Sequence, residues 1–168
     1  YDTYRQERAE RAARHFDQIR DRELPGGTVL TLVDCIELAL LRKLIRPGDV
    51  FWDIGSNIGY YTCLAARLSG DTGRVIAFEP APVTRGYLEE NISLNTFGNV
   101  SVLPYAIGEQ KGVAAIHMSD PTLGEGTASL KASDDRAFRV DVEVRRLDDL
   151  GPTLPRPDIV KIDVEGVF

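Results

Sequence analysis

Cysteine is scarce in this chain: 168 residues carry only Cys35 and Cys63. Neither belongs to a metal-ligand spacing, so a zinc site of the usual kinds is excluded. Both fall in predicted helices among apolar neighbours and read as buried thiols, not as a disulfide. That fits a reducing, cytoplasmic compartment. Long apolar runs are missing too. None approaches the roughly 18–20 residues needed to span a bilayer, and the N-terminus has no signal-like pattern. Positive charge is in deficit: 20 Lys and Arg against 26 Asp and Glu give a net charge of −6. A nucleic-acid-binding surface normally shows a basic footprint, so DNA or RNA is not an expected partner. What remains is a soluble globular composition, 43% apolar and 27% charged, of one-domain length.

One absence is specific. No G-x-G-x-x-G follows an apolar strand, which argues against a dinucleotide and against a nicotinamide oxidoreductase. In its place stands Val50-Phe-Trp-Asp-Ile-Gly-Ser-Asn-Ile-Gly-Tyr60. An apolar strand, 50–54, ends in Asp53 and turns through Gly55, Ser56, Asn57 and Gly59 into a helix predicted over 57–69. Glycine permits tight-turn angles and close approach of another group to the backbone. An acid at the strand tip repels a pyrophosphate but suits a cation. S-adenosylmethionine, which carries an ammonium and a sulfonium and no phosphate, is the ligand this pattern favours.

The next element strengthens that choice. Gly73-Arg-Val-Ile-Ala-Phe-Glu-Pro80 reads as a second short strand ending in Glu79. An acid at the end of the second strand is where a ribose diol is held in nucleotide-binding sheets. One carboxylate accepts from two hydroxyls at once. Strands and helices then alternate over 50–54, 57–69, 74–79, 82–95 and 100–103, which predicts a parallel sheet covered by helices. After Gly108 two extended strands follow, 112–118 and 137–144, the second alternating Phe138, Val140, Val142 and Val144 with Arg139, Asp141 and Glu143. The polar stretch 119–136 between them reads as a long functional or disordered loop. His117 is a candidate base, with an ordinary strand histidine the blander reading. A charged helix over 3–23 carries His15 on its surface, and a more apolar helix, 34–46, contains Glu37. Pro157 to Asp163 reads as a buried central strand whose end brings Asp163 toward Asp53.

Several of these segments resemble, in order, the FkbM-type family of class I S-adenosylmethionine-dependent methyltransferases. They are Arg46-Pro-Gly-Asp-Val50, Asp53-Ile-Gly-Ser-Asn-Ile-Gly-Tyr-Tyr-Thr62 and Phe78-Glu-Pro80. Leu88 with Asn91 and Asn95, Ala106-Ile-Gly108, Leu147-Asp-Asp149 and Lys161-Ile-Asp-Val-Glu-Gly166 follow. The last is the most family-specific. The resemblance implies an α/β, Rossmann-like sandwich: a central, mostly parallel sheet flanked by helices, with an inserted β-hairpin. It implies a domain over 25–168 preceded by the charged helix within 1–24. Such a domain has seven strands and only four of its core strands are counted here, so the chain is expected to be truncated at its C-terminal side.

The implied roles are these. Asp53, Ser56, Asn57 and the Gly55–Gly59 backbone meet the amino-acid part of the donor, Glu79 the ribose, and Ala106 with its neighbours the adenine. Asp163 serves as donor contact or base, and Glu165 orients substrate or caps the next helix. No third ligand accompanies Asp163 and Glu165, so no metal is expected. The implied reaction is O-methylation of a small molecule or glycan. The alternatives are an N-methyltransferase, which would want an Asn/Asp-Pro-Pro-Tyr/Phe motif where Asp163-Val-Glu-Gly166 stands, and a non-catalytic module that only binds the donor. The acceptor and the oligomeric state are not written in the sequence.

Overall fold

The computed structural model describes residues 38–118, 128–129 and 138–164. The 3–23 helix, Cys35, Glu37, Glu165 and most of the 119–136 loop lie outside the described residues. The chain divides into two units, Tyr1–Leu44 and Ile45–Phe168. Of the first, a helix over 38–44 (α1) is described, with Leu38 and Leu41 buried on one face.

The second unit carries a four-stranded sheet, β1 (Val50–Ile54), β2 (Arg74–Phe78), β3 (Val100–Leu103) and, late in the chain, β8 (Ile159–Ile162). Their order is β3-β2-β1-β8 and every pair is parallel. Parallel neighbours need crossovers. These are helix α2 (Tyr60–Ser69) between β1 and β2, and α3 (Pro82–Leu94) between β2 and β3. Strand periodicity sorts the side chains onto two faces. Trp52 and Ile54 join Ile76, Phe78 and Leu150 in one apolar cluster, covered in part by Leu147 of α4 (Leu147–Leu150). Phe51 and Asp53 point to the opposite face, where α2 packs on β1 and β2. An acid therefore occupies a core position, fully buried, at the C-terminal end of a central strand.

The two extended strands after Gly108 form more than a hairpin. β5 (Gly112–Met118) and β7 (Phe138–Arg145) pair antiparallel in register from Gly112↔Val144 to Met118↔Phe138. β4 (Ala106–Ile107) adds to β7 in parallel, and β6 (Ala128–Ser129) to β5, making a second sheet of order β4-β7-β5-β6. Its apolar face, Ile116, Val140 and Val142, packs on Ala81 and Ala106. The second sheet is thereby fastened to the turn that carries Glu79.

Candidate functional site

The site starts with the turn after β1. Gly55 and Ser56 both donate backbone N–H bonds to the Phe78 carbonyl, at 3.0 Å each, which locks the turn onto the end of β2. The buried Ser56 hydroxyl donates inward, to the Asp53 carbonyl at 2.7 Å. Gly55 has φ 78 and Gly59 φ 91, in the left-handed region. A Cβ on Gly55 would overlap the carbonyl oxygen of Asp163, and one on Gly59 would meet the Leu88 side chain of α3. The close approach that demands glycine at these two places is thus made by the chain itself. Asn57 is also left-handed, φ 51, and its Oδ1 accepts the Ile58 N–H at 2.8 Å. The helix consequently begins at Tyr60, later than the expected 57, because three residues of this turn lie outside helical angles.

Two acids flank the turn. Glu79 is 5% exposed, and its carboxylate is gripped from both sides. Oε2 accepts the Asn57 N–H and Oε1 the Ala81 N–H, both at 2.9 Å. Each oxygen keeps a further lone pair. Burial pushes the Glu79 carboxyl above its ordinary value, opposed first by the Ala81 and Asn57 bonds. Arg85 of α3 donates to the carbonyls of Glu79 and Pro80, at 3.2 and 3.0 Å, and steadies this turn.

Asp53 has one oxygen satisfied. Oδ2 accepts the Thr62 hydroxyl of α2 at 2.6 Å. Oδ1 makes no hydrogen bond and faces the Lys161 ammonium of β8 at 3.4 Å. The register Asp53↔Lys161 places the two side by side on neighbouring strands. Lys161 also lies 3.4 Å from Oδ2 of Asp163 and 4.6 Å from the centre of the Tyr61 ring. Burial pushes the Asp53 carboxyl up, and Lys161 is the largest influence holding it down. Burial, then the Asp53 charge, raises the thiol of Cys63, which makes it a poor nucleophile.

Of the site residues expected from sequence, the structure gathers Asp53, Gly55, Ser56, Asn57, Gly59, Glu79 and Asp163 around the C-terminal ends of β1, β2 and β8. Asp163 donates its N–H to the Ile54 carbonyl at 3.0 Å, and its side chain is largely exposed. Ala106 lies in β4, its side chain against the Ala81, Ile116 and Val142 cluster. Glu165 is outside the described residues. His117 sits within β5, opposite Arg139 and Ser129, on a strand that carries none of these acids. Asn95 caps α3 by donating to the Asn91 carbonyl at 2.8 Å, whereas Asn91 reaches back to the preceding turn and donates to the Ile58 carbonyl at 2.8 Å. Thr62 and Lys161 contact Asp53, and Asn91 contacts the glycine turn, so all three join the candidate site by geometry. In the sequence, Asn91, Thr62 and Lys161 stand only within the segments that carry the family resemblance, with no role of their own.

A shallow cavity of about 360 Å³ lies elsewhere, lined by Lys111, Glu143, Arg145, Asp149 and neighbours. None of the acids at the glycine turn lines it. Among the described residues no cluster of His, Cys, Asp and Glu is arranged to hold a metal, and no helix is long and apolar enough to cross a membrane.

Comparison with known proteins finds methyltransferases. A hexuronic acid methyltransferase of Haloferax volcanii is 33% identical over 129 residues, 77% of this chain and 51% of that protein. Methyltransferase 1 of Beauveria bassiana is 30% identical over 140 residues, 71% of this chain and 56% of that protein. A 31-O-demethyl-FK506 methyltransferase of Streptomyces tacrolimicus is 35% identical over 88 residues, 45% of this chain and 34% of that protein. The chain spans about half the length of the first two relatives. The family description "Methyltransferase FkbM domain" matches residues 53–167, from the acid of β1 past the end of β8. The chain belongs to the FkbM methyltransferase family.

Proposed function

We propose that this chain forms the donor-binding part of an S-adenosylmethionine-dependent methyltransferase that methylates a hydroxyl on a small molecule or glycan. The observation that carries this reading is a pair of buried acids at the tips of adjacent parallel strands, Asp53 and Glu79, on either side of one glycine turn. Crevices at the carboxyl ends of such strands are where open α/β sheets take ligands. The residues present fit this donor. The negative charge of Asp53 behind the turn and of the exposed Asp163 beside it favours a cationic group. The spare lone pairs of Glu79 suit a vicinal diol. Asn57 and the Gly55–Gly59 backbone are assigned to the amino-acid part, and the segment from Pro104 to Ala106 at the start of β4 to the adenine.

When bound, the donor supplies an electrophilic methyl group. The protein's share is to hold it in line with the acceptor, and near-attack positioning provides much of the rate for such a displacement. Asp163 is assigned the acceptor side, as base or as orienting carboxylate, together with Glu165. An oxygen acceptor is in keeping with the names of two relatives, one acting on a hexuronic acid, which offers hydroxyls and a carboxylate, and one on a 31-O-demethyl compound. No metal step is invoked. A cytoplasmic setting accords with the free thiol of Cys63.

Calorimetric titration with S-adenosylmethionine and its demethylated product tests the donor assignment. Micromolar binding is expected in the wild type and a loss of at least about tenfold in Asp53→Ala and Glu79→Ala, the loss of a hydrogen bond to a charged group. Undiminished binding in both folded variants would reject the assigned pocket. Transfer of labelled methyl to uronic acids and to other polyols, measured on a longer form of the protein as well, tests the acceptor class.

A further inference from the structure

Lys161 is almost enclosed, its side chain 14% exposed, although it carries a charge. Three groups surround its ammonium. Oδ1 of Asp53 comes from β1, Oδ2 of Asp163 from the segment after β8, and the Tyr61 ring from α2. The two acids differ sharply. Asp53 is fully buried and Asp163 is 69% exposed. Asp53 Oδ1 is also the only buried side-chain oxygen or nitrogen among the described residues without a hydrogen bond. A buried carboxylate with an oxygen left bare is costly unless a cation faces it. Lys161 is that cation, and the aromatic face beneath it adds a further favourable contact.

We propose that Lys161 is a positioning residue of the donor site: its ammonium is the internal counter-ion that keeps Asp53 a carboxylate and tethers Asp163 beside it. The proposal rests on the donor reading for its purpose, since an ionised Asp53 is what a cationic ligand needs. Its chemistry stands independently. The groups bearing on Asp53 are Lys161, Asp163 and Thr62, and the Asp53 charge is felt in turn by Cys63 and Glu79. Removing the Lys161 charge leaves Asp163 and burial unopposed except by the Thr62 hydroxyl. Asp53 then takes up a proton at higher pH. A lysine that only filled space beside β1 would produce no such change.

The test is a carbon-13 carboxyl NMR titration of the full chain, with the Asp53 signal identified by its loss in Asp53→Asn. Lys161→Met is expected to move the Asp53 midpoint upward by about one to three pH units, the effect of losing an opposite charge at this range. Lys161→Arg is expected to stay close to wild type. Lys161→Gln carries the comparison if the Met variant does not fold. An Asp53 midpoint unmoved in the neutral variants overturns the proposal, and so does an Arg variant that shifts as far as they do. This readout needs no donor. Titration of the same proteins with the demethylated donor separately tests the donor reading. There, affinity in the neutral variants should fall with decreasing pH at a correspondingly higher pH than in wild type. A wild type that binds nothing would reject the donor reading and leave the Asp53 midpoint to decide Lys161.

Discussion

Thr62 and Lys161 share the Asp53 carboxylate, one oxygen each, and their removal has different consequences. Thr62→Val keeps the shape but deletes a hydrogen bond to a charged, buried group. It is expected to cost about 1.5–3 kcal/mol in urea unfolding; a change below about 0.5 kcal/mol would mean the hydroxyl bond is not contributing. The sign of the pH dependence follows from the same acid. Burial raises Asp53, so the folded chain holds this proton more firmly than the unfolded chain does. The associated stability is full below the ordinary carboxylate range and is lost as pH rises through the raised value. Asp53→Asn has no such titration. Its stability relative to wild type should therefore improve as pH climbs from the ordinary carboxylate range toward neutrality. Unfolding free energies at a series of pH values check this, and a relative stability that worsens over that span would contradict the assigned direction.

At the scale of the element, the turn from β1 to α2 uses its two glycines unequally. Both have left-handed φ, which costs an L-residue roughly 1–2 kcal/mol. At Gly55 the obstruction is the backbone carbonyl of Asp163, which cannot move without disturbing the end of β8. At Gly59 it is the tip of the Leu88 side chain, which can change rotamer. Gly55→Ala should therefore lower the melting temperature well beyond Gly59→Ala, and the reverse ranking in thermal unfolding would refute this account of the turn. The D-x-G-x-N-x-G spacing made the turn legible in sequence, and the apolar runs made β1, β2 and β3 legible. The helix start was misplaced because Asn57 and Gly59 carry apolar-helix neighbours while holding non-helical angles. Strands β4 and β6, two residues each, are too short for any periodicity to register. The Lys161 pairing was hidden for another reason. It depends on β8 adding to β1 in register, and that juxtaposition is created by the fold between residues far apart in the chain.

For the whole molecule, the consequential feature is the outer flank of β8. Among the described strands β8 pairs with β1 alone and stands at the end of the sheet. Lys161 turns to the face that holds Asp53, whereas Val160 and Ile162 turn to the other and are 42% and 51% exposed. An unpaired strand edge bearing exposed β-branched side chains is a template for another chain. The net charge of −6 opposes that approach only weakly, because salt at about 0.15 M screens charges beyond roughly 8 Å. Self-association that grows with protein concentration and with salt is therefore expected for this chain. The double variant Val160→Lys, Ile162→Thr places a charge and a hydroxyl on that face without touching the one that carries Asp53 and Lys161. It should raise the monomer fraction in sedimentation velocity while leaving donor affinity within about twofold, as for surface changes remote from a site. Association unchanged by the double variant would mean that copies meet through another surface. A chain that stays monomeric at every concentration would mean that the β8 edge is closed to a second copy.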